Sequence, residues 1–120
     1  MKRHFFLVIF LLGCFFAPAA PSSYSQDTAQ AIEVHAKRFS FSPSEISVKK
    51  GETVKLNLIS DDVTHELLIP DLQVKQEVSK GKPVEVTFVP NKVGDFSGKC
   101  GHFCGTGHKS MTFIVHVKDN

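Results

Sequence analysis

From Ile32 onward the chain alternates: Ile32, Val34 and Ala36 fall on one side, and Glu33, His35 and Lys37 on the other. A period of two puts successive side chains on opposite faces of an extended backbone, so this stretch predicts a half-buried strand. The same period recurs at Ile46 and Val48, at Val54, Leu56 and Leu58, and at Phe113, Val115 and Val117. It also recurs at Val84, Val86 and Phe88, with Glu85 and Thr87 opposite. Ser42-Pro43-Ser44, Lys50-Gly51, Lys80-Gly81-Lys82-Pro83 and Pro90-Asn91 lie between these runs. Their Gly, Pro, Asn and Ser residues supply turn backbone and interrupt strands. After Gln30 no ten-residue stretch carries a helical period. Short strands punctuated in this way predict an all-β domain over residues 31–120, built as a small antiparallel sandwich or barrel.

The first 25 residues have a different pattern. Met1-Lys-Arg-His4 is basic, Phe5 to Phe16 is almost wholly apolar, and Ala17-Pro18-Ala19 has the small residues of a cleavage site. This predicts an export signal over residues 1–25 and an exported protein, in the periplasm or on the outer face of the cytoplasmic membrane. The apolar run is about a dozen residues, short of the roughly 20 that a spanning helix needs. Leu11-Leu12-Gly13-Cys14 resembles a lipoprotein box, which leaves membrane association through a lipid on Cys14, or through a retained anchor, as further outcomes of processing. Residues 17–30 are small and polar with two prolines, and read as a linker of which residues 26–30 remain after cleavage.

Charge removes one class of partner. Of the 14 basic residues Lys2 and Arg3 leave with the signal, so 12 cations face 12 acids, and no polybasic field points to nucleic acid. Cys100 and Cys104 are then the only cysteines, and in an oxidising compartment their plain fate would be a disulfide.

What surrounds them argues for metal. Cys100-Gly-His-Phe-Cys104-Gly-Thr-Gly-His108-Lys-Ser-Met111 has the spacing Cys-x3-Cys-x3-His-x2-Met. Thiolates and a thioether are soft ligands, and Cys and His with a weak Met is the chemistry of copper electron-transfer centres. Zinc suits Cys and His equally well, but rarely takes a thioether such as Met111. A Cys nucleophile with a His base would also need an oxyanion loop or substrate pocket, for which the sequence has no signal. Gly101, Gly105 and Gly107 sit between the ligands and predict a tightly folded loop through positive φ. His65, in Ser60-Asp-Asp-Val-Thr-His65, is a further ligand that a sandwich can bring to this loop, and Asp62 stands where it can orient it. His35 and His116 alternate with apolar neighbours and read as surface residues. A mononuclear blue site uses one thiolate, so Cys100 is one more than it needs, and two thiolates four residues apart suit a dinuclear centre.

At this point the sequence resembles a known family, the CuA domain of subunit II of haem-copper respiratory oxidases and the similar C-terminal domain of nitrous oxide reductase. The resemblance runs over about residues 45–117. It rests on the Cys100–Met111 loop with Gly105 directly after the second Cys, on Asp62-Val63-Thr64-His65, on Pro70-Asp71-Leu72-Gln73-Val74-Lys75, and on Gly94-Asp95-Phe96-Ser97-Gly98-Lys99-Cys100. It implies a cupredoxin-like Greek-key fold and one-electron transfer by two copper ions. Cys100 and Cys104 would bridge both ions, His65 and His108 would each cap one, and Met111 would be a weak ligand. His102 would contribute its backbone carbonyl, its imidazole remaining exposed.

The implied partners are cytochrome c or another redox donor, and a terminal oxidase or reductase. Two departures stand out. Subunits II carry transmembrane helices ahead of this domain, whereas only a short apolar run stands here, and many receive electrons through Trp, which this chain lacks. No acidic cluster suited to a basic cytochrome is evident either. These departures motivate a second expectation, a copper delivery or storage cupredoxin.

Overall fold

A computed structural model describes residues 30–119, so the export signal and nearly all of the linker lie outside the described residues. Among the described residues nine strands follow one another: β1 (Gln30–Lys37), β2 (Ser40–Ser42), β3 (Glu45–Lys49), β4 (Val54–Ser60), β5 (His65–Ile69), β6 (Val74–Val78), β7 (Val84–Phe88), β8 (Gly94–Cys100) and β9 (Thr112–Lys118). The only helical pieces among the described residues are one-turn 3-10 segments at Pro70–Leu72 and His108–Ser110. Gln30, which the sequence assigns to the linker, already lies in β1, and its N–H donates to Thr53 O at 3.0 Å.

The strands form two sheets, in the orders β2-β1-β4-β7 and β3-β9-β8-β5-β6. The expectation of an antiparallel sandwich needs correction. β1 pairs with β4 in parallel from Gln30↔Val54 to Ala36↔Ser60, and β3 pairs with β9 in parallel from Glu45↔Ile114 to Lys49↔Lys118. The cause is connectivity. The chain leaves the first sheet after β2, lays β3 in the second and returns for β4, so spatial neighbours are not joined by hairpins and run the same way.

Alternation along each strand directs one face inward. β4 buries Val54, Leu56, Leu58 and Ser60, and β9 buries Phe113, Val115 and Val117. Phe113 is fully buried and meets Phe41 edge-on, with ring centroids 5.8 Å apart and planes at 71°, the arrangement that aromatic quadrupoles favour. β5 presents His65, Leu67 and Ile69 inward, so a histidine occupies the outermost position of an otherwise apolar face.

Strand directions gather the chemistry at one end. β4 finishes at Ser60 and β5 starts at His65, β8 finishes at Cys100 and β9 starts after Met111, and β1 turns into β2 through Arg38 and Phe39. The loops carrying His65, Cys100 and Cys104 therefore meet above the core, on a framework of paired strands.

Candidate metal centre

The loop from Gly101 to Met111 is closed at its base by Cys100 N–H donating to Met111 O at 3.1 Å. Gly101 N–H donates to Glu66 O at 2.9 Å and ties the loop to β5. The turn at His108–Ser110 brings the chain back, with Met111 N–H donating to His108 O at 3.3 Å. Folding this short segment on itself aims its sulfur and nitrogen atoms at a common volume.

Within that volume the side chains form a row. His65 Nδ1 lies 3.9 Å from Cys100 Sγ, Cys100 Sγ lies 3.7 Å from Cys104 Sγ, and Cys104 Sγ lies 3.8 Å from His108 Nδ1. Met111 Sδ is 3.9 Å from Cys104 Sγ, and His102 O accepts from the Cys100 thiol at 3.1 Å. His65, Cys100, Cys104 and Met111 are buried, His108 is half-buried, and the side chain of His102 is exposed. Both cysteines are free thiols, so they do not form the disulfide weighed from the sequence. His65, Cys100 and Cys104 have ligand atoms all within 4.8 Å of one another, a group that can hold a metal ion.

Asp62 sets the orientation of His65. Its carboxylate accepts from His65 Nε2 at 2.7 Å, from Val63 N–H at 2.7 Å and from Arg38 N–H at 2.7 Å. Burial raises the carboxyl pKa, but these hydrogen bonds, led by that from Arg38, outweigh it and hold the pKa down at about 2. An ionised Asp62 only accepts, so Nε2 is the protonated nitrogen and Nδ1 turns its lone pair toward Cys100. The Cys104 thiol is pushed up to about 11, mainly by burial, with the hydrogen bond and charge of Cys100 adding to it. Without metal the Cys104 sulfur is protonated at neutral pH, and a thiophilic ion must displace that proton to bind.

Sequence reasoning passed over Arg38 and Phe39. Arg38 holds both halves of the site, its backbone N–H bound to Asp62 and its Nε donating to Cys104 O at 2.7 Å. Phe39 explains two of the loop glycines. A Cβ on Gly105 would stand 2.8 Å from the Phe39 ring, and one on Gly107 would collide with it more severely. The expectation that all three loop glycines serve positive φ holds only at Gly105, with φ of 141°. Gly107 has φ of −88° and is required by the Phe39 ring, whereas a Cβ at Gly101 would collide chiefly with the flexible end of the Glu66 side chain. A signal existed in retrospect: a cation and an aromatic stand side by side in the turn that leaves the alternating run of β1.

His35 and His116 are at the surface, as read, but neither is isolated. His35 Nδ1 and Nε2 each lie 2.8 Å from a carboxylate, of Asp61 and Glu33 respectively. His116 faces Asp95 at 2.6 Å and Glu45 at 3.3 Å. Hydrogen bonds to these carboxylates raise both imidazole pKa values above their ordinary value.

Two packed sheets with clustered thiols, imidazoles and a thioether at one end define a metal-binding β-sandwich of the cupredoxin type. The chain belongs to the cupredoxin family, whose domain, described as cupredoxin-like, matches residues 5–115. The fold of that family implies copper. The chain is 41% identical over 68 residues to a probable cytochrome c oxidase subunit 2 of Streptomyces coelicolor, covering 57% of this chain and 21% of that one. It thus spans about a fifth of the length of that relative. Its fold resembles the periplasmic domain of subunit II of cytochrome oxidase of Bradyrhizobium japonicum, with a TM-score of 0.70 and 20% identity over 76% of this chain and 85% of that one. It also resembles auracyanin A, a "blue" copper protein of Chloroflexus aurantiacus, with a TM-score of 0.62 and 16% identity over 73% of this chain and 98% of that one. Among the described residues no helix is long and apolar enough to cross a membrane.

Proposed function

We propose that this protein is an exported electron carrier with a dinuclear copper centre of the CuA type. Residues 1–25 would direct export, residues 26–30 would be a linker, and residues 31–120 would be the functional domain. The observation that carries the reading is the row His65–Cys100–Cys104–His108, in which each sulfur has its own imidazole and the two sulfurs are neighbours at 3.7 Å. One thiolate would have served a mononuclear site, and here both are buried in the same volume. His65 and His108 would each hold one ion, Cys100 and Cys104 would hold both, and Met111 and the His102 carbonyl would complete the set.

Copper, when bound, supplies a one-electron couple. The chain supplies a site that changes little during transfer. Asp62 fixes the His65 ring, Arg38 fixes the Cys104 carbonyl, and the strand pairing of β5 with β8 fixes the two ligand segments relative to each other. Burial of both sulfurs keeps water from reorganising around them. The periplasmic location and the oxidase context of the similar proteins make cytochrome c and a terminal oxidase or reductase the proposed partners, with membrane association through a lipid or anchor compatible with the leader.

Cys100→Ser tests the assignment directly. A dinuclear centre should collapse to one copper per chain and change colour, whereas a blue site built on Cys104 would keep its spectrum. The mononuclear reading is the second candidate, favoured by the fold likeness to auracyanin A and by the proximity of Cys104, His108 and Met111. A delivery role with the same fold predicts release of Cu(I) to an apo partner and no rapid electron exchange. Stopped-flow mixing with reduced cytochrome c separates these, since fast oxidation of the cytochrome contradicts delivery as the main role.

A further inference from the structure

Three large apolar side chains stand exposed among the described residues: Val89, Val93 and Phe103. Val89 and Val93 flank the turn between β7 and β8, at the far end of β8 from Cys100. Phe103 is the most exposed, at 71%, and is the residue between His102 and Cys104 in the ligand loop. Its ring lies 5.8 Å from that of His108, tilted by 46°. A singly exposed phenyl group is ordinary on a protein surface, but this one stands beside the ring of a candidate ligand, where a partner that covered it would lie close to the site.

The charges around it are mostly cationic. On one side of His108 a cleft is lined by Leu68, Lys99, Gly101 and Lys109, and neither lysine has a salt-bridge partner among the described residues. On the other side Phe103 borders a groove with Val63, Thr64, His102 and Arg38. The turn between β6 and β7, joined to this end by Thr64 Oγ1 and Ser79 Oγ at 3.1 Å, adds Lys80 and Lys82. The carboxylates nearby are mostly engaged: Asp61 by His35, and Asp62 by His65, Arg38 and Val63. Glu66 lies against Gly101, where it is half-buried, and among the described residues Asp71 is the one exposed carboxylate that shares a cleft with Lys99 and Lys109.

We infer that this end of the sandwich is a docking face for an acidic redox protein, with Phe103 and the edge of His108 at its apolar centre and Lys99 and Lys109 at its rim. The inference rests on the electron-transfer reading of the site and names the kind of partner that reading requires. A cationic rim attracts carboxylates during encounter and repels lysines, so it selects partners by charge, mostly through the association rate. Phe103 then supplies the desolvated contact that holds the complex while an electron crosses near His108. A surface carrying these lysines opposes the lysine-rich face of a basic cytochrome c, so a cytochrome c that serves as the partner proposed above must present an acidic face.

Two forms of one probe test the proposal: native basic cytochrome c and the same protein with its lysines succinylated, which makes its surface acidic. Chemical-shift mapping of the isotopically labelled protein, copper-free and copper-loaded, at low ionic strength should show the succinylated form perturbing Phe103, Lys99 and Lys109, with the native form bound more weakly. Lys99→Glu with Lys109→Glu, both exposed, should weaken that binding by about tenfold and favour the native form. Binding needs no copper, so a failed dinuclear assignment shows in the metal count and not in this titration. In the loaded protein one electron passes from ferrous haem to the copper site, and its rate with the acidic probe should fall as salt rises. Tighter binding of native cytochrome c, or perturbation at a different face, would overturn the proposal. So would perturbation of these residues by anionic phosphatidylglycerol vesicles while the acidic probe perturbs none.

Discussion

At the scale of single residues, the site is held by groups that touch no candidate metal. Asp62 is the clearest case, since an ionised carboxylate bound to Nε2 leaves one nitrogen of His65 to bind. Replacing such a partner of a ligating histidine weakens metal binding by about 10–100-fold, and Asp62→Ala should do so here, as measured by competition with a Cu(I) chelator. Unchanged affinity would mean that the buried ring is held by its packing alone. Arg38→Ala removes the donor to the Cys104 carbonyl and should alter the visible spectrum of the loaded protein while its copper count is kept. Asp62, His65 and the ligand loop were legible in the sequence because metal ligation demands particular atoms at particular spacings. Arg38 and Phe39 were not, because one acts through a backbone carbonyl and the other through the volume of its ring, and neither function leaves a spacing.

At the scale of elements, the alternating strands β1, β3, β4, β7 and β9 were readable, whereas β2, β5, β6 and β8 were not. β5 hides its period behind His65 on the inward face and Leu68 on the outer one, and β6 places Gln76 between Val74 and Val78. β8 contains Gly94 and Gly98, which weaken an isolated strand, and it is held by pairing with β5 on one side and β9 on the other. The parallel pairings are long-range facts that no local pattern contains. The core itself follows from alternation, and Phe113→Ala should destabilise the domain by about 3–5 kcal/mol, measured by urea denaturation, because it empties the volume against Phe41. His116 on β9 meets Asp95 on β8 and Glu45 on β3, linking three adjacent strands, and His35 on β1 meets Asp61 beyond β4. Both imidazoles have raised pKa values in the folded state, so their stabilising contribution is complete below about 6.5, the unfolded value, and is lost as pH rises through the folded values. The melting temperature of the native protein should therefore exceed that of a His35→Asn, His116→Asn variant at acid pH, and the gap should narrow toward alkaline pH. A gap that widens with pH would contradict the pairing.

At the scale of the whole molecule, a domain of this size has a modest core, and a ligand that binds only the folded state adds to its stability. Copper at about 100 times its dissociation constant should add roughly 2.7 kcal/mol, visible as a higher melting temperature that a chelator reverses. The family follows from the domain match over residues 5–115, and its fold implies copper. The number of ions depends on whether Cys100 and Cys104 act together, which is the centre of the account. The most direct measurement is the copper stoichiometry of the loaded protein combined with its electron paramagnetic resonance spectrum. The account predicts two coppers per chain and, in the one-electron-oxidised state, hyperfine structure from a single unpaired electron shared equally by both. One copper per chain, with hyperfine coupling to a single nucleus and a blue colour, would contradict it.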